Sequence, residues 1–190
     1  MLQLPNILTL LRILLIPVFV LLFLTGRHLE AALVFGAASL TDALDGYLAR
    51  LLRQESPLGS FLDPVADKLM VATALVLVLQ HTPTVWLALP VAVIVSREIA
   101  VSALREWMAE LGARRKIRVS VYGKYKTISQ MIAIFLLVYK DYWSWWLGLG
   151  LLYLATALTL VSMFFYLHAA WPELVRARRH GGNGNGSGNN

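Results

Sequence analysis

Cysteine is absent from all 190 residues, which excludes a disulfide framework and any thiolate metal site. Charge is nearly as scarce. Charged residues make up 15% of the chain and hydrophobic residues 58%, whereas soluble domains run at about a quarter charged and about half apolar. The mean hydropathy of +0.64 agrees with a chain embedded in a membrane. A net charge of +6 could suit a nucleic-acid binder, but the basic residues sit between apolar runs, as on the cytoplasmic loops of membrane proteins. No nucleic-acid partner is expected. The apolar run from Ile7 to Leu24 lacks a cleavage pattern and leads into further spans, so it does not read as a secretory signal.

What is there is a succession of long apolar runs. They predict an all-α membrane protein with six transmembrane helices, at about Pro5–Leu24, Glu30–Leu52, Leu58–Gln80, Thr84–Met108, Ser120–Val138 and Trp143–Trp171. Each has the roughly 20 residues needed to cross about 30 Å of hydrocarbon. The connections TGRHLE, QESP, HTPT and KDY are short and only ELGARRKIRVS is longer. One integral membrane domain over residues 1–180 is expected. The tail GGNGNGSGNN is low-complexity and reads as disordered over 181–190.

Lysine and arginine placement sets the orientation. Arg53, Arg114, Arg115, Lys116, Arg118, Arg176, Arg178 and Arg179 fall on one side, and only Arg27 and Lys140 on the other. That asymmetry predicts a multi-pass protein of the cell inner (cytoplasmic) membrane with both termini in the cytoplasm. Trp143, Trp145 and Trp146, beside Tyr139 and Tyr142, form an aromatic belt at the far interface. The cluster Arg114, Arg115, Lys116 and Arg118 reads as an orientation signal or a contact to anionic membrane lipids. His28, His81, His168 and His180 fall at helix ends without ligand-like company.

Against this apolar background stand four aspartates between residues 41 and 68, Asp42, Asp45, Asp63 and Asp67. On a helix Asp42, Asp45, Gly46, Ala49 and Arg50 fall within an arc of roughly 140°. Asp63 and Asp67 form an i,i+4 pair on the next helix, one turn after Gly59. A carboxylate at the bilayer centre costs about 2.5–3.5 kcal/mol, so four cost on the order of 10 kcal/mol uncompensated. Asp42 precedes Arg53 by eleven residues, which puts it roughly 15 Å below the cytoplasmic end of its helix. The carboxylates are therefore expected to face a polar cavity open to the cytoplasm. All-oxygen ligation without His or Cys favours a hard cation, magnesium or manganese. Two divalent ions balance four carboxylates. Intramembrane aspartates also serve as proton relays, as ion-transport sites, or as structural pairs, here with Arg50 and Lys68. The spacing D-x2-D-G-x2-A-R-x8-G-x3-D-x3-D, eight fixed positions in 26 residues, speaks against chance.

In these eight positions the chain resembles the CDP-alcohol phosphotransferases, membrane enzymes of phospholipid synthesis, without a departure from their signature. LPNILTLLRILLIPV, LDPVADKLMVA, SREIAVSALREWMAELG and GKYKTISQM extend the resemblance over residues 4 to about 170, and are similar to the bacterial phosphatidylglycerophosphate synthase branch. The resemblance implies six helices, a site on the cytoplasmic side, two bound Mg2+ (or Mn2+) ions and a homodimer. It implies CDP-diacylglycerol as donor and glycerol 3-phosphate as acceptor, with CMP released. By it, Asp42 and Asp63 bridge both metals, Asp45 holds one and Asp67 the other, and Asp67 is the general base. Relatives using serine, inositol phosphate or phosphatidylglycerol leave the acceptor open, and a cation or proton transporter is the alternative of a different class.

Other positions carry two readings each. Gly46 and Gly59 allow close approach of the nucleotide or of a neighbouring helix. Arg50 and Ser56 are expected to hold phosphate or cytidine groups, and Asn6 to touch the nucleotide or cap its helix. Thr9 and Arg12 share the opening motif with no assigned role. The acceptor's phosphate requires a basic pocket, for which Arg97, Arg105, Lys124 and Lys126 are candidates. Arg97 could instead pair with Glu98, and the two lysines could be interfacial anchors.

Overall fold

The computed structural model describes the backbone of residues 4–52, 57–110 and 121–181. Within these it describes the side chains of 9–42, 62, 65–104, 106–107, 125–164 and 168. No strand occurs among the described residues. Six helices follow one another: α1 Leu4–Leu24, α2 His28–Leu52, α3 Pro57–His81, α4 Val85–Glu110, α5 Val121–Tyr139 and α6 Tyr142–Gly181. The first five coincide with the expected spans to within two residues at each end.

Local chemistry explains the three tight turns. α1 stops at Gly26, whose φ of 77° is one that only glycine adopts freely. Gly26 N–H donates to Phe23 O at 3.1 Å and Arg27 N–H to Leu22 O at 2.9 Å, the paired bonds of a Schellman motif. α5 stops in the simpler single-bond form. There Lys140 takes φ 63° and its N–H donates to Leu136 O at 3.1 Å. Thr84 opens α4 and Asp141 opens α6, each lending its carbonyl to the first helical turn, at positions where short polar residues are favoured. Connections this short make their helices antiparallel neighbours, and α1 packs on α2, α3 on α4 and α5 on α6.

α6 departs from expectation. It continues past Trp171 to Gly181, 40 residues in all, about 60 Å long against about 30 Å of hydrocarbon. The apolar run ends near Trp171, but the Glu-Leu-Val-Arg-Ala-Arg-Arg that follows Pro172 consists largely of good helix formers. Hydrophobicity marks where a span ends, and here the helix outlasts the span. By length and composition, Val85–Leu104 and Tyr142–Phe164 qualify as membrane spans among the described residues.

The core lies toward the tight turns. Phe19, Phe35, Leu75, Ile94, Ile134 and Leu152 are fully buried there. Phe19 rests against Phe23 and Phe35 with ring centroids 6.2 and 6.1 Å apart. The α5–α6 hairpin is the most extensive pairing, and Gly148 permits it. A β-carbon there would lie 3.0 Å from Leu137 Cγ and 3.1 Å from both Ala133 O and Leu136 Cβ. At the turns themselves the fold brings together two histidines that are far apart in the chain. His28 and His81 stack edge to face at 5.6 Å, both against Phe23, and Lys140 Nζ meets His81 Nε2.

Candidate active site

At the opposite end from the turns, the same helices turn polar inside. α1 contributes Thr9 and Arg12, both buried, one turn apart on one face. Arg12 reaches across to α2 and donates from Nη1 to Asp42 Oδ1 at 2.6 Å. The arginine side chain is 2% exposed and the aspartate 38%, so the pair has one foot in the core and one in an open space. The positive charge that buried aspartates require thus comes in part from α1. The alternative of a structural aspartate pair at Lys68 is not what the geometry gives, since Lys68 Nζ donates to Ser102 Oγ on α4.

Asp67 on α3 is half-buried. It lies within electrostatic reach of the Asp42 and Glu98 carboxylates and of Arg12 and Lys68. Asp42 on α2 and Asp67 on α3 are thus near enough to feel one another's charge. Among the described residues no group of three or more acidic or histidine side chains assembles; the side chains of Asp45 and Asp63 lie outside them. Carboxylate oxygens within electrostatic reach of one another, with partial exposure at Asp42, are the hard ligands that suit a divalent cation such as magnesium.

Next to the carboxylates stands a second polar group, centred on α4. Arg97 is 8% exposed and Lys126, from α5, 4%. Glu98 Oε1 accepts hydrogen bonds from both, from Arg97 Nη1 at 3.2 Å and from Lys126 Nζ. Arg97 also donates from Nη2 to Ser162 Oγ on α6 at 3.1 Å, and Ser162 Oγ donates to Thr159 O at 2.9 Å. Ser102 Oγ, which takes the Lys68 bond, donates to the Glu98 carbonyl at 2.6 Å. Arg97 thus makes the pair with Glu98 that the sequence offered as one reading, and it is buried among polar side chains. Lys126 is too deeply buried for an interfacial anchor.

The remaining expected site residues divide by what is described. The backbones of Asn6, Asp45, Gly46, Arg50, Gly59, Asp63, Arg105 and Lys124 lie in α1, α2, α2, α2, α3, α3, α4 and α5 respectively. Their side chains, and Ser56 as a whole, lie outside the described residues. Sequence reasoning assigned no part to Arg12, to Ser102 or to Ser162, and took Glu98 only as a neighbour of Arg97. An acid next to an arginine in the middle of an apolar run was the available signal for Glu98.

The comparisons with known proteins agree with this geometry. The sequence model of the CDP-alcohol phosphatidyltransferase family matches residues 2–167. A Pseudomonas fluorescens protein named CDP-diacylglycerol--glycerol-3-phosphate 3-phosphatidyltransferase is 53% identical over 179 residues, covering 90% of this chain and 92% of its own length. Proteins of the same name from Escherichia coli (strain K12) and Shigella flexneri serotype 5b (strain 8401) are each 48% identical over 177 residues. Each alignment covers 91% of this chain and 97% of the relative. The match spans every helix that contributes to the polar cluster, and the chain belongs to the CDP-alcohol phosphatidyltransferase family.

Proposed function

We propose that this chain transfers the phosphatidyl group of CDP-diacylglycerol to glycerol 3-phosphate, releasing CMP, the activity for which its relatives are named. The observation that carries the reading is the adjacency of two polar groups. Asp42 and Asp67 lie within electrostatic reach of one another, and Asp67 of Lys126, which with Arg97 forms a buried pair of cations on Glu98. The first suits the pyrophosphate of the donor through divalent ions, and the second suits a phosphate on the acceptor.

In this reading all six helices span the cell inner membrane, with both termini and the site facing the cytoplasm. Residues 1–180 form one domain, 181–190 a disordered tail, and the active protein is a homodimer among membrane lipids. Asp42, Asp45, Asp63 and Asp67 hold two divalent cations, Mg2+ or Mn2+. When bound, these supply charge neutralisation at the donor pyrophosphate and acidify the acceptor hydroxyl. Asn6, Gly46, Arg50, Ser56 and Gly59 hold the CDP moiety, and Arg97, Arg105, Lys124 and Lys126 hold the acceptor's phosphate. Asp67 accepts the hydroxyl proton as the acceptor oxygen bonds to the lipid-linked phosphorus. The bond from that phosphorus to the CMP oxygen breaks, and CMP leaves with the electron pair. The displacement is direct, with inversion at phosphorus.

The test is CMP release by the purified protein with CDP-diacylglycerol, magnesium and a panel of acceptors. Release should depend on glycerol 3-phosphate and fall by about 10²–10⁴-fold in Asp67→Asn, the range a general base contributes. Release that depends on serine or inositol phosphate instead reassigns the acceptor. No release with any acceptor or divalent ion refutes the enzyme.

A further inference from the structure

Glu98 has no part in the chemistry above, yet it sits at the junction of the acceptor pocket. One of its oxygens, Oε1, accepts from cations on two helices, Arg97 on α4 and Lys126 on α5. Arg97 continues to Ser162 on α6. One turn further along α4, on the same face as Glu98, Ser102 takes the Lys68 ammonium of α3. A single stretch of α4 therefore gathers side chains from three other helices.

Two cations this poor in water contact do not converge unaided. Like charges repel strongly where little solvent screens them, and a buried charge persists when it is paired. The carboxylate between Arg97 and Lys126 is what lets both point to one place. We propose that Glu98 is a positioning residue for the acceptor's phosphate. It holds Arg97 and Lys126 as a fixed pair of donors, so that glycerol 3-phosphate meets a preformed site and an alcohol without a phosphate gains nothing from it. This rests on the transferase reading above and adds the residue that sets preference for a phosphorylated acceptor. Glu98 touches neither substrate and acts through the two cations.

The experiment compares Glu98→Gln with wild type in membranes or detergent micelles, varying glycerol 3-phosphate, glycerol and CDP-diacylglycerol separately. Glutamine keeps the shape and loses the charge. The KM for glycerol 3-phosphate should rise about tenfold, within the coupling seen between contacting residues, with the KM for CDP-diacylglycerol within about twofold. The ratio of kcat/KM for glycerol 3-phosphate over glycerol should fall by a similar factor. In the double variant Glu98→Gln with Lys126→Met, the acceptor KM should rise over that of Lys126→Met alone by less than Glu98→Gln raises it over wild type, because part of the glutamate's effect passes through that lysine and the rest through Arg97. If Glu98→Gln does not accumulate, Glu98→Asp keeps the charge, shortens the reach and should raise the acceptor KM by less. Equal rises in both KM values, or an acceptor KM that falls because a competing anion has gone, overturn the proposal. Wild-type protein that releases no CMP with glycerol 3-phosphate removes the activity and this inference together. Active wild type with an unchanged acceptor KM in both Glu98 variants removes this inference alone.

Discussion

The two ends of the helix bundle are built from the same helices and obey opposite rules. Toward the tight turns, α4 buries Leu87, Val91 and Ile94, and α5 buries Ile134 and Leu137. Three and four residues further along α4 come Arg97 and Glu98, and about two turns back along α5 from Ile134 comes Lys126. The turn end is held by apolar fit, and its largest buried side chains, Phe19, Phe35 and Leu75, have no access to solvent. The site end buries Thr9, Arg12, Arg97, Lys126, Gln130 and Thr159, groups whose burial is unfavourable unless each finds a partner. The difference teaches that the apolar end stabilises what the polar end strains. It also bears on transport. An ion leaving the carboxylates for the far side would have to cross the layer that buries Phe19, Phe35, Leu75 and Ile94, where a charge is costly.

If the ends divide labour in this way, substitutions at the site end should change catalysis more than stability. The largest such effect in a residue outside the carboxylates is expected at Arg12. Its guanidinium fixes Asp42 through a 2.6 Å bond, and residues that orient a metal ligand typically matter about 10–100-fold in metal affinity or activity. Arg12→Met should raise the magnesium concentration for half-maximal CMP release by about that factor. The thermal midpoint of the metal-free protein should move little, because Asp42 is partly exposed and its carboxylate can turn to water. A lowered midpoint with an unchanged magnesium requirement would make Arg12 a structural partner only, and the division of labour would fail at its most buried charge.

How much of this could be read from the chain depends on the range of the interaction. Helix positions follow from apolar runs, and the turns from Gly26, Thr84 and Asp141, all local signals. That Asp42 and Asp45 share a face of one helix, and Asp63 and Asp67 a face of the next, was legible because helical spacing fixes which positions lie on one side. What was not legible is which cation meets which carboxylate. Arg12 and Asp42 are 30 residues apart and Glu98 and Lys126 are 28, so the pairing depends on how helices rotate against one another. That Lys68 meets Ser102 and not an aspartate was hidden for the same reason, since it is the packing of α3 against α4 that gives it this partner. The extent of α6 escaped because it depends on helix propensity rather than on hydrophobicity.

The turn end should show the reverse pattern, and Gly148 is its most sensitive point. An added methyl meets Leu137 Cγ at 3.0 Å and the Ala133 carbonyl oxygen at 3.1 Å. A helix backbone cannot retreat locally, so α5 and α6 must part. Gly148→Ala should destabilise by about 1–3 kcal/mol, the usual cost of overpacking, seen as a lower thermal midpoint. The KM for each substrate in the folded fraction should be unchanged. An unchanged midpoint would mean that the hairpin tolerates separation and does not anchor the bundle.

Gly36 sharpens the same point with the smallest effect. It also lies at a close helix contact, between α2 and α5, where a β-carbon would sit 3.2 and 3.3 Å from Phe135 Cε2 and Cδ2. Those distances resemble the ones at Gly148, but the neighbour differs in kind. The atoms belong to the edge of a ring on a partly buried side chain, which can tilt about its χ angles by the few tenths of an ångström required. Against that small cost stands the gain of alanine over glycine inside a helix, about 1 kcal/mol in host peptides. The two nearly cancel, so Gly36→Ala should leave the thermal midpoint within about half a kcal/mol of wild type, with activity unchanged. A loss as large as that at Gly148 would show that Phe135 is held rigidly, and that packing tightness extends along α2 to within two turns of Asp42. The boundary between the two ends would then lie closer to the carboxylates than the burial pattern draws it.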